Sequence, residues 1–348
     1  MSQLFFGPPV QIARYDRPTY PIFDKLTEKQ LGFFWRPQEV DTQRERADFR
    51  KLTDAGQHIF TSNIKRQIVL DTKQGAAPSV AFLPIVSLPE AETWISTWTF
   101  SETIHSRSYT HIVREVYSDP SSVLDTVMDI APILQLQQEI SASYDKLILL
   151  NARKTAGLPV DPYEHREALW LCLNAVNILE GVRFYVSFAC SWAFAENKQM
   201  EGNAKIIKLI CRDENLHLAS TQHMLKILPK EDKLWQEIAD KNVDRVIDMY
   251  DEGLKSEMNW ADYLFSKGSI LGLNGEMLCD FARYRTAKVC AAAGYRHLKV
   301  GTNPMPWTER WISGAEVQVA PQETEISSYI VGGLKNDVTA DTFKGMTL

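Results

Sequence analysis

The stretch FSETIHSRSYTHI, residues 100–112, places Glu102, His105 and Tyr109 at positions i, i+3 and i+7. On an α-helix, residues at these spacings share one face. The neighbouring segments ETWISTWTF and IVREV are rich in apolar and aromatic residues. The pattern therefore predicts a buried helix that directs a carboxylate, an imidazole and a phenol together into a packed interior.

Three further segments place acidic residues on apolar helical faces. Glu214 and His217 repeat the Glu-x-x-His spacing of residues 102–105. Asp71 lies on the apolar stripe of NIKRQIVLDTKQ, and Glu180 lies within the almost uninterrupted apolar run LNAVNILEGVRFYVSFACSWAF. An isolated buried carboxylate is costly even after the protein relaxes around it. Few basic residues lie on these faces, so the four carboxylates indicate shared metal ions.

The spacing of these residues indicates how they meet. Asp71 precedes Glu102 by 31 residues, and Glu180 precedes Glu214 by 34. Each half of the chain thus carries one carboxylate on one helix and Glu-x-x-His on the next, which suits two antiparallel hairpins. Together they predict a four-helix bundle with six ligands around two metal ions, as in ferritin-like di-iron and di-manganese proteins.

The choice of metal follows from the donor atoms. Oxygen-rich ligands with one imidazole per metal favour iron or manganese over zinc or copper. Taken alone, each pair is better explained by a surface glutamate and a hydrogen-bonded core histidine. The six residues together favour the metal site.

Apolar residues predict a dry pocket beside Tyr109. Phe184 and Phe188 lie one and two turns after the carboxylate of their helix, and Ile210 lies one turn before the carboxylate of the next. Such a pocket suits a tyrosine that loses an electron and a proton, because water and reductants would quench the radical. The alternative is an ordinary core tyrosine that is hydrogen-bonded to a carboxylate.

Helical periodicity dominates the chain, and alternating strand patterns are scarce. The predicted helices cover residues 20–34, 55–74, 89–117, 122–154, 163–196, 200–226, 231–265 and 274–299. We predict an all-α chain in which an extended N-terminal segment (1–19) precedes a ferritin-like helix bundle with extra helices (20–312). A flexible tail (313–348) follows. The alternative interpretation of these residues is a fraying terminus that has no function.

Composition and charge narrow the function classes. The chain has 348 residues, 45% of them hydrophobic, which is enough for a large core. A formal net charge of −6 without a long basic run argues against nucleic-acid binding. We expect no segment that spans a membrane and no signal peptide. Five single cysteines without a CxxC pair predict reduced thiols in a cytoplasmic protein.

Several specific strings along nearly the whole chain carry a family resemblance. They are FFGPPVQIARYD, QLGFFWRPQEVD, FSETIHSRSYTHI, NILEGVRFYVSFACSWAF, MEGNAKIIKLICRDENLHL and VQVAPQETEISSYIVG. With these strings the chain resembles the small (beta) subunit of class I ribonucleotide reductase, most closely the class Ia branch of bacterial or phage type.

The resemblance implies a role for each matching residue. The implied iron ligands are Asp71, Glu102, His105, Glu180, Glu214 and His217. Tyr109 would carry the radical, and Phe184, Phe188 and Ile210 would line the apolar pocket of this cofactor. Trp35 and Asp213 would pass the oxidising equivalent from the metal centre, and Tyr329, with Glu323 nearby, would carry it through the tail.

The resemblance also implies cofactors and partners. These are two iron ions per chain joined by an oxo bridge, with manganese as a possible substitute, and dioxygen for activation. The partners would be a second copy of the chain in a homodimer, a large (alpha) subunit bound through the tail 313–348, and a reductant for the metal centre. The chain has no phosphate-cradling glycine loop and no cysteine pair, so ribonucleotide reduction would occur on the large subunit.

Two other functions use the same kind of centre, and the sequence offers a means to separate them. A di-iron oxygenase or ligand-binding oxidase would act on a bound substrate, and an iron-storage protein would only bind the metal. Neither function needs the exit route formed by Trp35, Tyr109 and Tyr329.

The sequence departs from the family pattern at Gly181, which follows Glu180 directly. Glycine lowers helix propensity by about 1 kcal/mol. It predicts a weak point in the helix beside that ligand.

Overall fold

The computed structural model describes residues 3–8, 10 and 12–313. Its helices are α1 (Pro21–Gly32), α2 (Glu45–Lys51), α3 (Asp54–Gln74), α4 (Ala77–Phe82), α5 (Pro89–Val116), α6 (Ser121–Leu124), α7 (Ala131–Thr155), α8 (Pro162–Ile178), α9 (Phe184–Glu196), α10 (Glu201–Glu231), α11 (Lys233–Lys241), α12 (Val243–Leu264), α13 (Gly275–Ala293) and α14 (Glu309–Ile312). Short 3-10 turns lie at Pro37–Glu39, Val127–Asp129 and Pro306–Thr308, and a π-helical segment at Leu179–Arg183 joins α8 to α9. Within the described ranges, β-structure is limited to isolated bridges at Phe5–Val86 and Ile270–Leu273. The predicted all-α class is confirmed.

Four long elements form the central bundle. Both α3 and α10 pack against α5 and against α9, so the four helices close into a ring. The π-helical segment and α8 extend α9 along the bundle. Outside this ring, α1 packs on α5, α7 packs on α3 and α8, and α12 and α13 pack on the π-helical segment. The ring and the adjoining π-helical segment bring together the residues that the sequence marked as candidate ligands.

The continuous helical stretch Pro162–Glu196 contains a long apolar window. By length and composition it could cross a membrane, contrary to the expectation that no segment would qualify. In the structure, however, 94% of its most apolar window is buried among other helices. A helix without a polar face is either a membrane span or a core helix. Its burial here identifies a core helix.

Four predicted helix boundaries are wrong. The predicted helix 200–226 is too short, because α10 continues through Pro229 to Glu231. The other three errors each come from a residue that interrupts the helical backbone. The predicted helix 122–154 breaks before α7, where Ile130 is extended and Pro132 lies in the first turn. The predicted helix 231–265 is divided into α11 and α12 at Asn242. The predicted helix 274–299 ends early, because Gly294 adopts a φ of 107° that stops α13.

The weak point predicted at Gly181 coincides with the π-helical segment, which departs from α-helical geometry. A Cβ atom at Gly181 would lie 2.7 Å from Cγ2 of Val289 and 2.9 Å from Cδ1 of Leu218. Glycine is therefore required by the close approach of α13 and α10 to this turn. The same turn carries Glu180.

A buried carboxylate fixes the start of α10. Met200 precedes the helix with a φ of 51° and provides no side-chain cap. Instead Glu45 of α2 accepts a hydrogen bond from the backbone N–H of Gly202 at 2.8 Å. A Cβ atom at Gly202 would lie 2.5 Å from the carbonyl oxygen of Asp41, so glycine is required there. No local pattern marks Glu45, because its partner lies 157 positions away.

We expect Glu45→Gln to make the stability of the metal-free protein less dependent on pH. Burial raises the pKa of Glu45 to about 7, although the backbone N–H groups of Gly202 and Asn203 oppose the shift. A carboxyl group with a raised pKa in the folded state reduces stability as the pH rises through that range. Glutamine stays neutral and can still accept the hydrogen bond. The advantage of the variant in unfolding free energy should therefore grow by about 2 to 3 kcal/mol from pH 5 to pH 8.

Urea unfolding at the two pH values measures this difference. Glu276→Gln is the matched control, because Glu276 is exposed in the first turn of α13, away from Glu45, and its replacement should leave the pH dependence of stability nearly unchanged. An equal pH dependence in the wild type and in Glu45→Gln would show that Glu45 ionises in the folded protein without cost.

Candidate metal centre

The six side chains predicted as ligands converge from α3, α5, the π-helical segment and α10. All six are completely buried. Their candidate donor atoms form two groups, and within each group all of these atoms lie within 4.8 Å of one another. The first group is Asp71, Glu102, His105 and Glu214, and the second is Glu102, Glu180, Glu214 and His217. Glu102 and Glu214 therefore belong to both groups.

The two histidines direct the same ring nitrogen at the shared carboxylates. Nδ1 of His105 lies 3.0 Å from one oxygen of Glu102 and 3.0 Å from one oxygen of Glu214. Nδ1 of His217 lies 3.0 Å from the other oxygen of each glutamate. A single N–H group aligns well with only one of two carboxylates, whereas a cation can bind a ring nitrogen and two carboxylate oxygens at once. The geometry fits two ion sites that share two carboxylates.

The outer carboxylates have oxygen atoms without a partner. Both oxygens of Asp71 and Oε2 of Glu180 are buried and accept no well-aligned hydrogen bond within the described part of the chain. Such groups are costly unless a cation or a donor satisfies them. Four carboxylates and two neutral imidazoles also balance the charge of two divalent cations. The residues present therefore fit a dinuclear centre, and their oxygen-rich donor set suits iron or manganese.

Protonation divides the four carboxylates into two kinds. Burial, together with the charge of neighbouring carboxylates, raises the pKa of Asp71 and Glu180 well above the usual range. Burial also opposes the ionisation of Glu102 and Glu214, but the pKa of both is lowered. The two imidazoles lower the pKa of Glu102, and a hydrogen bond from Glu180 together with the imidazoles lowers that of Glu214. Burial likewise disfavours a charged imidazole, yet these glutamates raise the pKa of His217 to about 9. Metal binding must displace these protons, so it becomes tighter as the pH rises.

A chain of polar contacts leads from the metal centre to Trp35. Nε2 of His105 lies 3.1 Å from Oδ2 of Asp213, and the indole N–H of Trp35 donates to the same oxygen at 2.8 Å. All three side chains are buried, and the rings of Trp35 and His105 are stacked with centroids 6.3 Å apart. The carboxylate of Asp213 therefore fixes the orientation of the imidazole. The structure brings together the two residues that the resemblance connected with electron transfer.

Tyr109 lies one turn beyond the ligands of α5 and is completely buried. Its hydroxyl makes no well-aligned hydrogen bond to a described residue, and the carboxylate of Asp71 is the nearby acceptor that acts on it. Burial, reinforced by the charge of Asp71, raises the pKa of Tyr109 well above its usual value, so the phenol is neutral. Phe184, Phe188 and Ile210 are completely buried in the same hydrophobic cluster. Their burial is consistent with the predicted apolar pocket, and the contact of these three side chains with Tyr109 stays a prediction.

Three further side chains hold the candidate ligands through hydrogen bonds, and the sequence patterns did not predict them. The indole N–H of Trp98 donates to Glu102 at 2.7 Å. The amide of Gln74 donates to Glu180 and accepts a hydrogen bond from the hydroxyl of Tyr144 at 2.8 Å. Trp98 lies four residues before Glu102 on the same helix, a spacing that could have revealed it. Tyr144 belongs to α7, and no local pattern connects it with the ligands.

Two predicted site residues, Tyr329 and Glu323, lie outside the described residues. The predicted tail 313–348 also lies outside them, apart from its first residue. Their proposed roles therefore stay predictions.

Comparison of the sequence with known proteins matches most of the chain to a single family. The family described as "Ribonucleotide reductase, small chain" matches residues 13–304. The chain is 47% identical to ribonucleoside-diphosphate reductase 1 subunit beta of Escherichia coli O157:H7, over 99% of this chain and 96% of that protein. It is 40% identical to ribonucleoside-diphosphate reductase subunit beta of Enterobacteria phage T4, over 96% of this chain and 93% of that protein.

A solved structure shows the same fold. The ribonucleotide reductase R2 subunit from Clostridium botulinum matches with a TM-score of 0.79 at 23% identity, and the match covers 89% of this chain and 94% of that one. The predicted ferritin-like architecture is thereby confirmed. The chain belongs to the ribonucleotide reductase small-chain family, the beta subunits of ribonucleoside-diphosphate reductase.

Proposed function

We propose that this beta subunit binds two iron or manganese ions and stores one oxidising equivalent as a radical on Tyr109. The observation that carries the proposal is the meeting of six buried side chains, in two overlapping groups, with a buried tyrosine on which the carboxylate of Asp71 acts. Asp71 and His105 would hold one ion, and Glu180 and His217 the other. The two shared glutamates would bind both ions.

The side chains around Tyr109 determine how the radical forms and persists. When bound, the two ions supply a one-electron oxidant after reaction with dioxygen. Tyr109 then loses one electron together with its phenolic proton, because the neutral phenol is the stable form in this buried site. Asp71, whose charge acts on the phenol, is placed to accept the proton. Phe184, Phe188 and Ile210 are proposed to exclude the water that would quench the radical.

The contact between Trp35, Asp213 and His105 supports an exit route for the oxidising equivalent. Asp213 can take part in proton movement, because one of its oxygens accepts from the indole N–H and lies beside the imidazole. The route is proposed to continue through Tyr329, outside the described residues. The oxygenase and iron-storage alternatives give no role to this buried contact. The 47% identity to a beta subunit, over 99% of this chain, also favours the reductase.

Membership of a two-component reductase implies a large-subunit partner. We further propose that the chain forms a homodimer, that the tail 313–348 binds the large subunit, and that an external reductant serves the metal centre. These proposals are supported by the family resemblance. A cytoplasmic location is likewise proposed, and the five free cysteines are consistent with it.

We expect Glu102→Gln to weaken the binding of both metal ions. Glu102 belongs to both ligand groups, so the substitution removes a negative charge from each site. Loss of an outer hydrogen-bond partner of a ligand typically lowers metal affinity by roughly 10- to 100-fold, and loss of a shared ligand should exceed this. Titration with Mn(II), followed by electron paramagnetic resonance of the free ion, measures both dissociation constants.

Glu90→Gln is the matched control for this experiment. Glu90 is also buried on α5, but it accepts a hydrogen bond from the backbone N–H of Tyr20 and belongs to neither ligand group. It should bind two Mn(II) ions as tightly as the wild type. Two tightly bound ions in Glu102→Gln would place the metal centre elsewhere in the chain.

A further inference from the structure

The last described helix, α14, is fastened to the outside of α9. The ring of Trp311 stacks on Trp192 with centroids 5.8 Å apart and an interplanar angle of 10°. Its indole N–H donates to Oε1 of Glu196 at 2.8 Å, and Arg310 pairs with the same carboxylate. Residues 309–312 therefore form a docked segment directly before the predicted tail. We call this range the docked segment.

Asn215 connects the docked segment to the bundle. Its side-chain N–H donates to the carbonyl oxygen of Ile312 at 3.2 Å, and its side-chain oxygen accepts a hydrogen bond from the hydroxyl of Tyr185. Asn215 follows Glu214 directly on α10, and Tyr185 is completely buried on α9. One amide thus joins the docked segment, α9 and the helix that carries a shared ligand.

The contacts continue from Tyr185 to the other side of the metal centre. The guanidinium of Arg285 lies over the Tyr185 ring, 3.7 Å from its centroid. The same guanidinium donates two hydrogen bonds to the carbonyl oxygen of Gly181, at 3.1 and 2.8 Å. Gly181 lies in the π-helical segment directly after Glu180, and Arg285 is buried. A continuous array of buried or partly buried contacts therefore reaches the backbone beside both Glu180 and Glu214.

From this array we infer that Asn215 is a positioning residue that couples the docked segment to the metal ligands Glu180 and Glu214. The inference rests on the proposed function, because it takes these carboxylates to be ligands. Coupling between two sites is reciprocal in free energy. Metal binding should therefore strengthen the attachment of residues 309–312, and release of this segment should weaken metal binding. The region that leads to the large subunit is thus connected with the centre that supplies the radical.

The test uses the full chain with Mn(II) as the metal probe and measures two quantities. They are the Mn(II) dissociation constants and the hydrogen-exchange rates of the backbone amides at 309–312. In the wild type, saturating Mn(II) should slow this exchange about fivefold or more, since coupling of this kind typically changes affinities by roughly 5- to 150-fold. Trp311→Ala, which removes the stacking on Trp192, should weaken Mn(II) binding by a similar factor.

Asn215→Ala should remove the connection. In this variant Mn(II) should leave exchange at 309–312 unchanged, and addition of Trp311→Ala should not weaken Mn(II) binding further. Asn197→Ala is the matched control, because the amide of Asn197 donates to the carbonyl oxygens of Ala193 and Leu271, outside the array. The control should respond to Mn(II) as the wild type does.

The outcomes separate the inference from the proposed function. Additive effects of Asn215→Ala and Trp311→Ala on Mn(II) binding would overturn the coupling and leave the metal centre intact. The coupling would also be overturned if the wild type binds two Mn(II) ions and the hydrogen-exchange rates at 309–312 do not change. A wild type that fails to bind two Mn(II) ions would overturn the metal centre and the coupling together. If Asn215→Ala does not fold, unchanged Mn(II) binding in Trp311→Ala alone overturns the inference.

Discussion

Tyr109→Phe is expected to abolish the tyrosyl radical and turnover with the large subunit while both metal ions stay bound. Phenylalanine fills the same buried space but has no phenolic proton to lose. Because the Tyr109 hydroxyl makes no well-aligned hydrogen bond, its removal takes only a weak contact from the carboxylate of Asp71, and the cost in stability should be small. Electron paramagnetic resonance measures the radical, metal analysis counts the ions, and deoxyribonucleotide formation reports turnover.

Tyr117→Phe is the matched control for this substitution. Tyr117 follows the last residue of α5, and its hydroxyl is hydrogen-bonded to Oγ1 of Thr61 at 2.6 Å. The control should keep the radical and turnover, with a loss of stability of about 1 kcal/mol for the missing hydrogen bond. A tyrosyl radical that survives in Tyr109→Phe would move the storage site to another tyrosine.

Tyr329→Phe is expected to keep the radical and both metal ions and yet abolish turnover with the large subunit. If Tyr329 carries the oxidising equivalent toward the partner, phenylalanine interrupts the route because it cannot be oxidised in its place. The same three measurements apply, and here the radical signal and the turnover should separate. The prediction depends on the family resemblance, since Tyr329 lies outside the described residues.

Tyr15→Phe provides the matched control for the tail substitution. Tyr15 is an exposed tyrosine, and its hydroxyl contacts only Oγ1 of Thr93 within the described ranges. This variant should retain the radical, the metal ions and turnover. Full turnover in Tyr329→Phe would remove the tail tyrosine from the exit route, whereas loss of the radical in that variant would point to a structural effect.

The geometry of single helices explains why the candidate ligands could be found from the sequence. The spacing of Glu102, His105 and Tyr109 depends only on the helical repeat, so it places the three on one face before any tertiary contact is known. The separations of 31 and 34 residues then indicate which helices pair, and the observed ring of α3, α5, α9 and α10 brings the same residues together. That these residues bind metal remains a proposal.

The supporting contacts could not be found in this way, because each partner comes from a distant part of the chain. Tyr144 reaches a ligand through an intervening glutamine, and Arg285 holds a backbone carbonyl of another helix. Glu45 caps a helix that begins far along the chain. Such contacts depend on the packing of whole helices, and helical periodicity does not encode them. The break between α11 and α12 at Asn242 is also invisible in the sequence pattern, because the backbone of Asn242 leaves the helical conformation without any change in the spacing of the apolar residues.

The apolar core helix Pro162–Glu196 has a consequence for biosynthesis. Its partners α3 and α7 are translated before it, but α10, α12 and α13 are translated later, and the last of them ends at residue 293. At typical translation rates of 5–20 residues per second, these later elements follow about 5 to 20 seconds after the core helix. During this interval the faces of the 35-residue helix that the later elements cover stay accessible to chaperones, lipid and other nascent chains. We therefore expect the yield of folded protein to depend on competition during synthesis as well as on the final stability of the bundle.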